Sequence, residues 1–264
     1  MNKIANIACV VLAAAAAPPA LAASCVKQSP AHTIALLELY TSEGCSSCPP
    51  ADRWLSRIAQ SGLGQDEVIP LALHVDYWDA LGWKDRFADA RFSERQRTLT
   101  ETAGRRVVYT PEVFLDLREF RDWDSDAQFR RAVQGANAKP ARADIRLAVE
   151  TGAASPAQLK LQARFALKPG AAPRGAQAFI ALVEGGLTTP VAAGENRGAT
   201  LHHDRVVRRW IGPIELRDGK ADYDAAIPLD PGWNAKRLAV AAFVQDLARG
   251  ESLQAISLGV CAAS

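Results

Sequence analysis

The feature that most constrains this chain is Cys45-Ser46-Ser47-Cys48, two cysteines with two residues between them where an apolar run gives way to a helical pattern. Ahead of the pair, residues 33–40 read as a buried strand, because Ile34-Ala35-Leu36-Leu37 is a short apolar run closed by the loop residues Thr41, Ser42 and Gly44. Behind it, Ala51, Trp54, Leu55, Ile58 and Ala59 recur at helical spacing. Pro49-Pro50 stands in the first turn, where a missing N–H costs nothing, and Gly62 lies past the end. A thiolate attacks disulfides and a thiol does not, and a free cysteine with a pKa of about 8.5 is mostly protonated at neutral pH. Free amides and the positive dipole end at a helix N-terminus favour the thiolate. This placement makes Cys45 the candidate attacking nucleophile and Cys48 the candidate resolving thiol.

Spacing alone leaves other chemistry open. A C-x-x-C also suits a structural disulfide, half a zinc site, or a copper(I) clamp between two soft thiolates. Zinc needs two more ligands, and His32, His74, His202 and His203 are scattered with no second C-x-x-C. We therefore assign neither a metal nor a cofactor.

The ends of the chain indicate export. Lys3 is the one charge before an apolar stretch from Ile4 to Ala17, and Ala20-Leu21-Ala22 has the small-x-small form of a signal-peptidase site, so residues 1–23 read as a cleaved signal peptide. The expected location is periplasmic or secreted, with no stable membrane span because no later segment is apolar for long enough. Four cysteines remain after cleavage and allow three pairings. In an oxidising compartment the simplest is Cys45 with Cys48 and Cys25 with Cys261, the second a structural clamp worth about 4–5 kcal/mol on the chain-entropy model. With 31 basic against 29 acidic residues and no clustered cations, nothing points to nucleic acid.

Further along, residues 68–75 read as a second buried strand, 88–103 as a charged helix and 112–117 as a third strand. Residues 124–138 read as a helix with Phe129, Ala132, Val133 and Ala136 on one face. Past Pro140, seven short alternating stretches are separated by Gly, Pro, Asn and Asp clusters. The expected fold is an α/β domain over residues 24–140 followed by an all-β, sandwich-like domain over 141–264.

Other residues bear on the pair. Thr110-Pro111 precedes the third strand, where a cis proline would set its loop beside the cysteines and offer backbone groups to an extended substrate. Glu38, charged within an apolar strand, is a candidate proton relay to Cys48 or an edge residue facing water. Glu43 can raise the thiol pKa, and Arg105-Arg106 can lower it. Tyr77 and Trp78 follow the second strand and either line a substrate groove or pack in the core. His202-His203 reads as an exposed strand edge, since no third ligand lies nearby.

The order strand, C-x-x-C at a helix start, strand, helix, Thr-Pro, strand, helix resembles the thioredoxin fold over residues 33–138. More narrowly, the stretch Leu39 to Asp52 with its Ser42-Glu43-Gly44-Cys45-Ser46-Ser47-Cys48-Pro49-Pro50 centre resembles an exported thioredoxin-like family catalogued as domain of unknown function 1223. His74-Val75-Asp76-Tyr77-Trp78-Asp79, Leu81-Gly82-Trp83-Lys84-Asp85 and Tyr109-Thr110-Pro111 carry the same resemblance, and it continues more loosely into 204–208 and 241–246. It implies an α/β thioredoxin-like first domain, with Cys45, Cys48 and Pro111 as site residues. The residues themselves lead to the expectation of a thiol-disulfide oxidoreductase acting on protein thiols or disulfides and served by a redox partner protein. Copper(I) capture by the same two thiolates is the alternative. The family supplies no substrate, and this chain departs from it at Glu112, where an amide is expected, and at Leu117, where a turn glycine is expected.

Overall fold

The computed structural model describes residues 23–152, 155–171 and 175–261. The expected signal segment falls outside these residues up to its last position. Strand β1 (Ala23–Gln28) precedes the apolar run, which forms β2 (Ala35–Thr41), buried along its whole length. Helix α1 (Pro49–Arg57) starts directly after Cys48 and buries Ala51, Trp54 and Leu55. Trp54 meets Trp123 and Phe129 at ring distances of 5.5 and 5.0 Å. Strand β3 (Val68–His74) then runs parallel to β2, from Val68 beside Ala35 to His74 beside Thr41.

Helix α2 (Ala90–Thr102) is capped by Asp89, whose carboxylate accepts the Arg91 amide. A hairpin of β4 (Glu112–Leu115) and β5 (Arg118–Glu119) follows, then α3 (Asp126–Asn137). The hairpin turns on Asp116 (φ 49°) and Leu117 (φ 66°), both left-handed, as a tight two-residue turn requires. Leu117 takes this conformation without being glycine. Its side chain is buried in the core, and Asp116 Oδ1 accepts the Leu36 amide at 2.9 Å.

The remaining strands are β6 (Ala143–Gly152), β7 (Ser155–Leu167), β8 (Ala176–Glu184), β9 (Leu187–Pro190), β10 (Thr200–His203), β11 (Val206–Glu215), β12 (Lys220–Pro228), β13 (Leu238–Asp246) and β14 (Glu251–Gly259). They correct the expected fold class, an α/β thioredoxin-like domain followed by an all-β sandwich. The chain is mostly β, and one mixed sheet of eight strands, ordered β14-β13-β8-β11-β3-β2-β4-β5, draws on both stretches. The join is β11 against β3, where Val206 pairs with Ala72 and the Ala72 amide donates to Arg205 O. Alternation along a strand shows which residues share a face but not which edges meet, so this join is invisible to pattern.

A second sheet, ordered β1-β6-β7-β12, is antiparallel throughout, and β9 pairs with β10 as a separate hairpin. Ile145, Leu147, Leu159 and Leu161 of the smaller sheet pack on Ile180, Leu182, Val240 and Ala242 of the larger. The same face of the larger sheet, farther along, carries α1 and α3 over Leu37 and Leu39. Helix α2 covers the opposite face, with Phe92 and Leu99 over Leu36, Tyr40, Phe179 and Phe243. Hence β2 and β13 are buried on both faces, which explains their nearly unbroken apolar runs.

Candidate functional site

Cys45 and Cys48 form a disulfide with Cα atoms 5.5 Å apart, and Cys48 is the N-cap residue of α1. Two consequences follow from Pro49-Pro50. The prolines start the helix without a lost hydrogen bond, and they leave the amides of its first two positions absent. The Ala51 and Asp52 amides both return to Cys48 O, at 2.9 and 3.1 Å. Amide donors near Cys45 are therefore scarcer than at an ordinary helix start, although the helix dipole remains.

The Thr110–Pro111 peptide bond is cis and its loop lies against the pair. Thr110 O is 3.8 Å from Cys45 Sγ and accepts the Ser47 hydroxyl at 3.2 Å. Trp78 Nε1 donates to Thr110 Oγ1 at 2.8 Å, and the Trp78 Cβ stands where a side chain at Gly44 would touch it. Trp78 thus belongs to the site. Tyr77 is turned toward α2, its hydroxyl donating to Gln96 Oε1 at 3.2 Å.

Glu38 requires a correction. It shares a face with Leu36 and Tyr40, the face under α2, whereas α1 lies over Leu37 and Leu39. Both of its oxygens are held by Arg95, at 2.6 and 2.8 Å, and one accepts the Tyr40 hydroxyl. It is neither a proton relay for Cys48 nor an edge residue. Arg105 approaches Glu119 at 3.7 Å, and the Glu43 carboxylate is taken up by Trp83 and His203. Cys25 and Cys261 are joined with Cα atoms 6.1 Å apart, tying β1 to the segment after β14, far from this site.

A second buried carboxylate close to the pair in the chain is Asp52, four residues past Cys48 on α1, a spacing that puts both on one helix face. Thr41 donates its hydroxyl to Asp52 Oδ2 at 3.2 Å. Burial pushes the Asp52 carboxyl above its usual range, against the pull of His203 and His74. Those histidines belong to a wholly buried cluster with Glu43 and Asp85. Asp85 Oδ2 lies 2.6 Å from His74 Nδ1 and accepts the Glu43 amide at 2.8 Å. Burial pulls the His74 imidazole down, but Asp85 more than offsets it and holds the ring above its ordinary value.

Glu43 accepts Trp83 Nε1 at 2.9 Å, and its other oxygen faces His203 Nε2 at 3.4 Å. Burial raises Glu43, yet these partners bring it below the ordinary range. His203 is therefore not the exposed edge residue that its sequence neighbourhood suggests, while His202 is exposed. Pattern could have found it, since in β10 exposure alternates from Thr200 and His202, facing water, to Leu201 and His203, facing inward.

Glu112, directly after Pro111, is buried and accepts Gln96 Nε2 at 2.6 Å. Burial pushes its carboxyl up to about 7. The folded chain keeps this proton to higher pH than the unfolded chain. The resulting stability is fully present below the unfolded pKa of about 4.3 and is lost as pH rises through about 7. Glu112→Gln is expected to be more stable than the parent by about 2–3 kcal/mol at pH 8 and to lose that advantage by pH 4.5. Urea midpoints at the two pH values check this.

A hairpin tip from far along the chain closes the site. Between β9 and β10, Glu195 Oε2 accepts the Ser46 amide at 3.0 Å, and Asn196 Nδ2 donates to Glu43 O and Cys45 O, both at 2.9 Å. Neither cysteine is exposed, at 0% for both, although Ser46 and Ser47 between them are. Sequence reasoning did not find these two residues, and Glu195 and Asn196 carry no local motif.

The fold has relatives among solved structures. An X-ray crystal structure of a protein from Agrobacterium tumefaciens is similar at 25% identity and a TM-score of 0.60, covering 86% of this chain and 94% of that one. HBP35 of Porphyromonas gingivalis is similar in fold alone, at 15% identity and a TM-score of 0.65, over 88% of this chain and 76% of the other. No curated protein matches the chain. The family model described as "Protein of unknown function (DUF1223)" matches residues 36–245, and the chain belongs to that family.

Proposed function

We propose that this protein is an exported thiol-disulfide oxidoreductase acting on polypeptide substrates. The observation that carries this reading is a disulfide seated at the N-terminus of α1 and packed against the Thr110 carbonyl. In the oxidising direction, a substrate thiolate attacks Cys45 Sγ. A substrate–Cys45 disulfide forms, the Cys45–Cys48 bond breaks, and the electron pair leaves on Cys48 sulfur, which takes a proton. A second substrate thiolate then displaces Cys45, leaving an oxidised substrate and a reduced pair. A redox partner protein carrying a disulfide restores the pair by the same exchange, and the reductive direction is the reverse sequence.

Asp52 is the group suited to supply and remove the Cys48 proton, because burial keeps its carboxyl protonated to higher pH than an exposed aspartate. Polypeptide substrates are favoured by exposed apolar side chains on segments bordering the pair. Val107 and Tyr109 lead into Thr110, and Leu81 sits three residues past Trp78, at 73%, 38% and 61% exposed. Export is supported by two disulfides, which persist in oxidising compartments. No helix among the described residues is long and apolar enough to cross a membrane.

Equilibration with glutathione tests the reading. A Cys45–Cys48 potential above about −270 mV is expected, and a value below about −300 mV, typical of inert structural bonds, would sink it. Asp52→Asn is expected to slow resolution of a Cys45 mixed disulfide about 10- to 100-fold at neutral pH and to flatten its pH dependence. Glu38→Gln is expected to leave that pH profile unchanged, and quenched-flow mass spectrometry follows both.

A further inference from the structure

The hairpin tip between β9 and β10 is the most specific contact the site makes outside its own neighbourhood. We infer that Glu195 and Asn196 form a latch that governs both access to Cys45 and the stability of its thiolate, an inference that rests on the exchange reading above.

Attack on a disulfide needs an open approach to one sulfur, and here both cysteines are fully covered while Ser46 and Ser47 face water. Thr110 lies on one side, and Asn196 holds the carbonyls on either side of Gly44 in place from another. The tip also sits close to the segment carrying Trp78. A side chain at Gly82 would meet Gly194 Cα at 3.5 Å, and one at Gly194 would meet Trp83 Cβ at 3.0 Å. Two glycines facing each other let the hairpin close this tightly.

Pro49 and Pro50 have no N–H, the Cys45 amide donates to Ser42 O, and the Cys48 amide donates to Cys45 O. The Ser46 amide is thus one of the few donors left to favour negative charge on Cys45, and the Glu195 carboxylate takes it. While latched, Glu195 withholds that donor and adds a negative charge one residue away. Both effects disfavour the thiolate and favour the disulfide. A thiolate formed at Cys45 repels Glu195 in turn, so reduction loosens the latch and oxidation closes it.

The test uses the full oxidised protein and dithiothreitol, with free thiols trapped by N-ethylmaleimide and counted by mass spectrometry. Glu195→Gln and Asn196→Ala are expected to be reduced at the Cys45–Cys48 bond at least about fivefold faster than the parent. Arg197→Ala, on the same exposed tip but outside these contacts, is expected to match the parent. In reduced protein, the pH profile of iodoacetamide alkylation at Cys45 is expected to move down by about half a unit to one unit in Glu195→Gln, a three- to tenfold gain in thiolate. A purely structural role for the tip would not move this profile. Parent and variants reduced at equal rates, with equal profiles, would overturn the latch and leave the exchange reading intact. A bond that resists dithiothreitol in all four folded proteins would overturn the exchange reading, and the latch with it.

Discussion

Cys48→Ser is expected to abolish turnover of a dithiol peptide, by at least about 10³-fold, while accumulating mixed disulfides at Cys45. The two cysteines are placed unequally. Cys48 is fixed as the helix N-cap with its carbonyl taken by two amides, whereas Cys45 lies in the loop beside Thr110 O and the Ser47 hydroxyl. Cys45 is thus the sulfur a substrate can reach once the hairpin tip lifts. Serine preserves the size of Cys48 but cannot attack the intermediate, so the substrate stays attached. Cys45→Ser is expected to lose turnover equally and to trap nothing. Non-reducing gels of cells producing each variant, with adducts identified by mass spectrometry, separate the outcomes. Trapped species at Cys48 in Cys45→Ser would reverse the assignment, and adducts in neither variant would argue for an inert bond.

The site was legible in the sequence where it is local and hidden where it is assembled. The C-x-x-C spacing, the helix behind it and Thr110-Pro111 all sit next to their consequences, and short-range chemistry sufficed to place them. Glu38 misled because a charge in an apolar strand invites a catalytic role. Its partner Arg95 is 57 residues away, on a helix whose packing face no local pattern reveals. Asp52 was overlooked because a polar residue in a helix's first turn ordinarily faces water. Its interior position comes from the packing of α1 on the sheet, where Thr41 donates to it. Glu195 and Asn196 reach the pair across about 150 residues, through a hairpin whose docking depends on tertiary contacts alone. The fold class failed for a related reason. Seven of the nine strands described from 143 onward show in the alternation, β9 and β10 being too short to register, but the choice of β3 as the neighbour of β11 lies in edge pairing, which has no signature in alternation.

The second large effect concerns stability. Arg95→Met is expected to destabilise the protein by about 3–5 kcal/mol, lowering its Tm by roughly 6–20 °C for a chain of this size. Arg95 is buried among Phe179, Trp210 and Phe243, with ring centroids 5.0–5.3 Å from its guanidinium carbon. It also donates to Gln245 Oε1 at 3.0 Å besides holding both oxygens of Glu38. Removing the guanidinium leaves a carboxylate with no counter-charge in an apolar layer, and desolvation then exacts its full cost. Methionine fills much of the same volume, so the loss reports charge rather than a cavity. The pH dependence separates these causes. In Arg95→Met the buried charge is left without a partner, so the variant recovers toward parental stability as pH falls and weakens as pH rises. A cavity would give a deficit independent of pH. Glu38→Met combined with Arg95→Met removes both charges and is expected to regain most of the loss, because a buried pair exchanged for apolar side chains of similar volume is often nearly neutral. Urea denaturation of the two variants at pH 5 and pH 8 provides the measurement. A double variant as unstable as the single would show that the pair holds α2 to the sheet by geometry that apolar packing cannot replace.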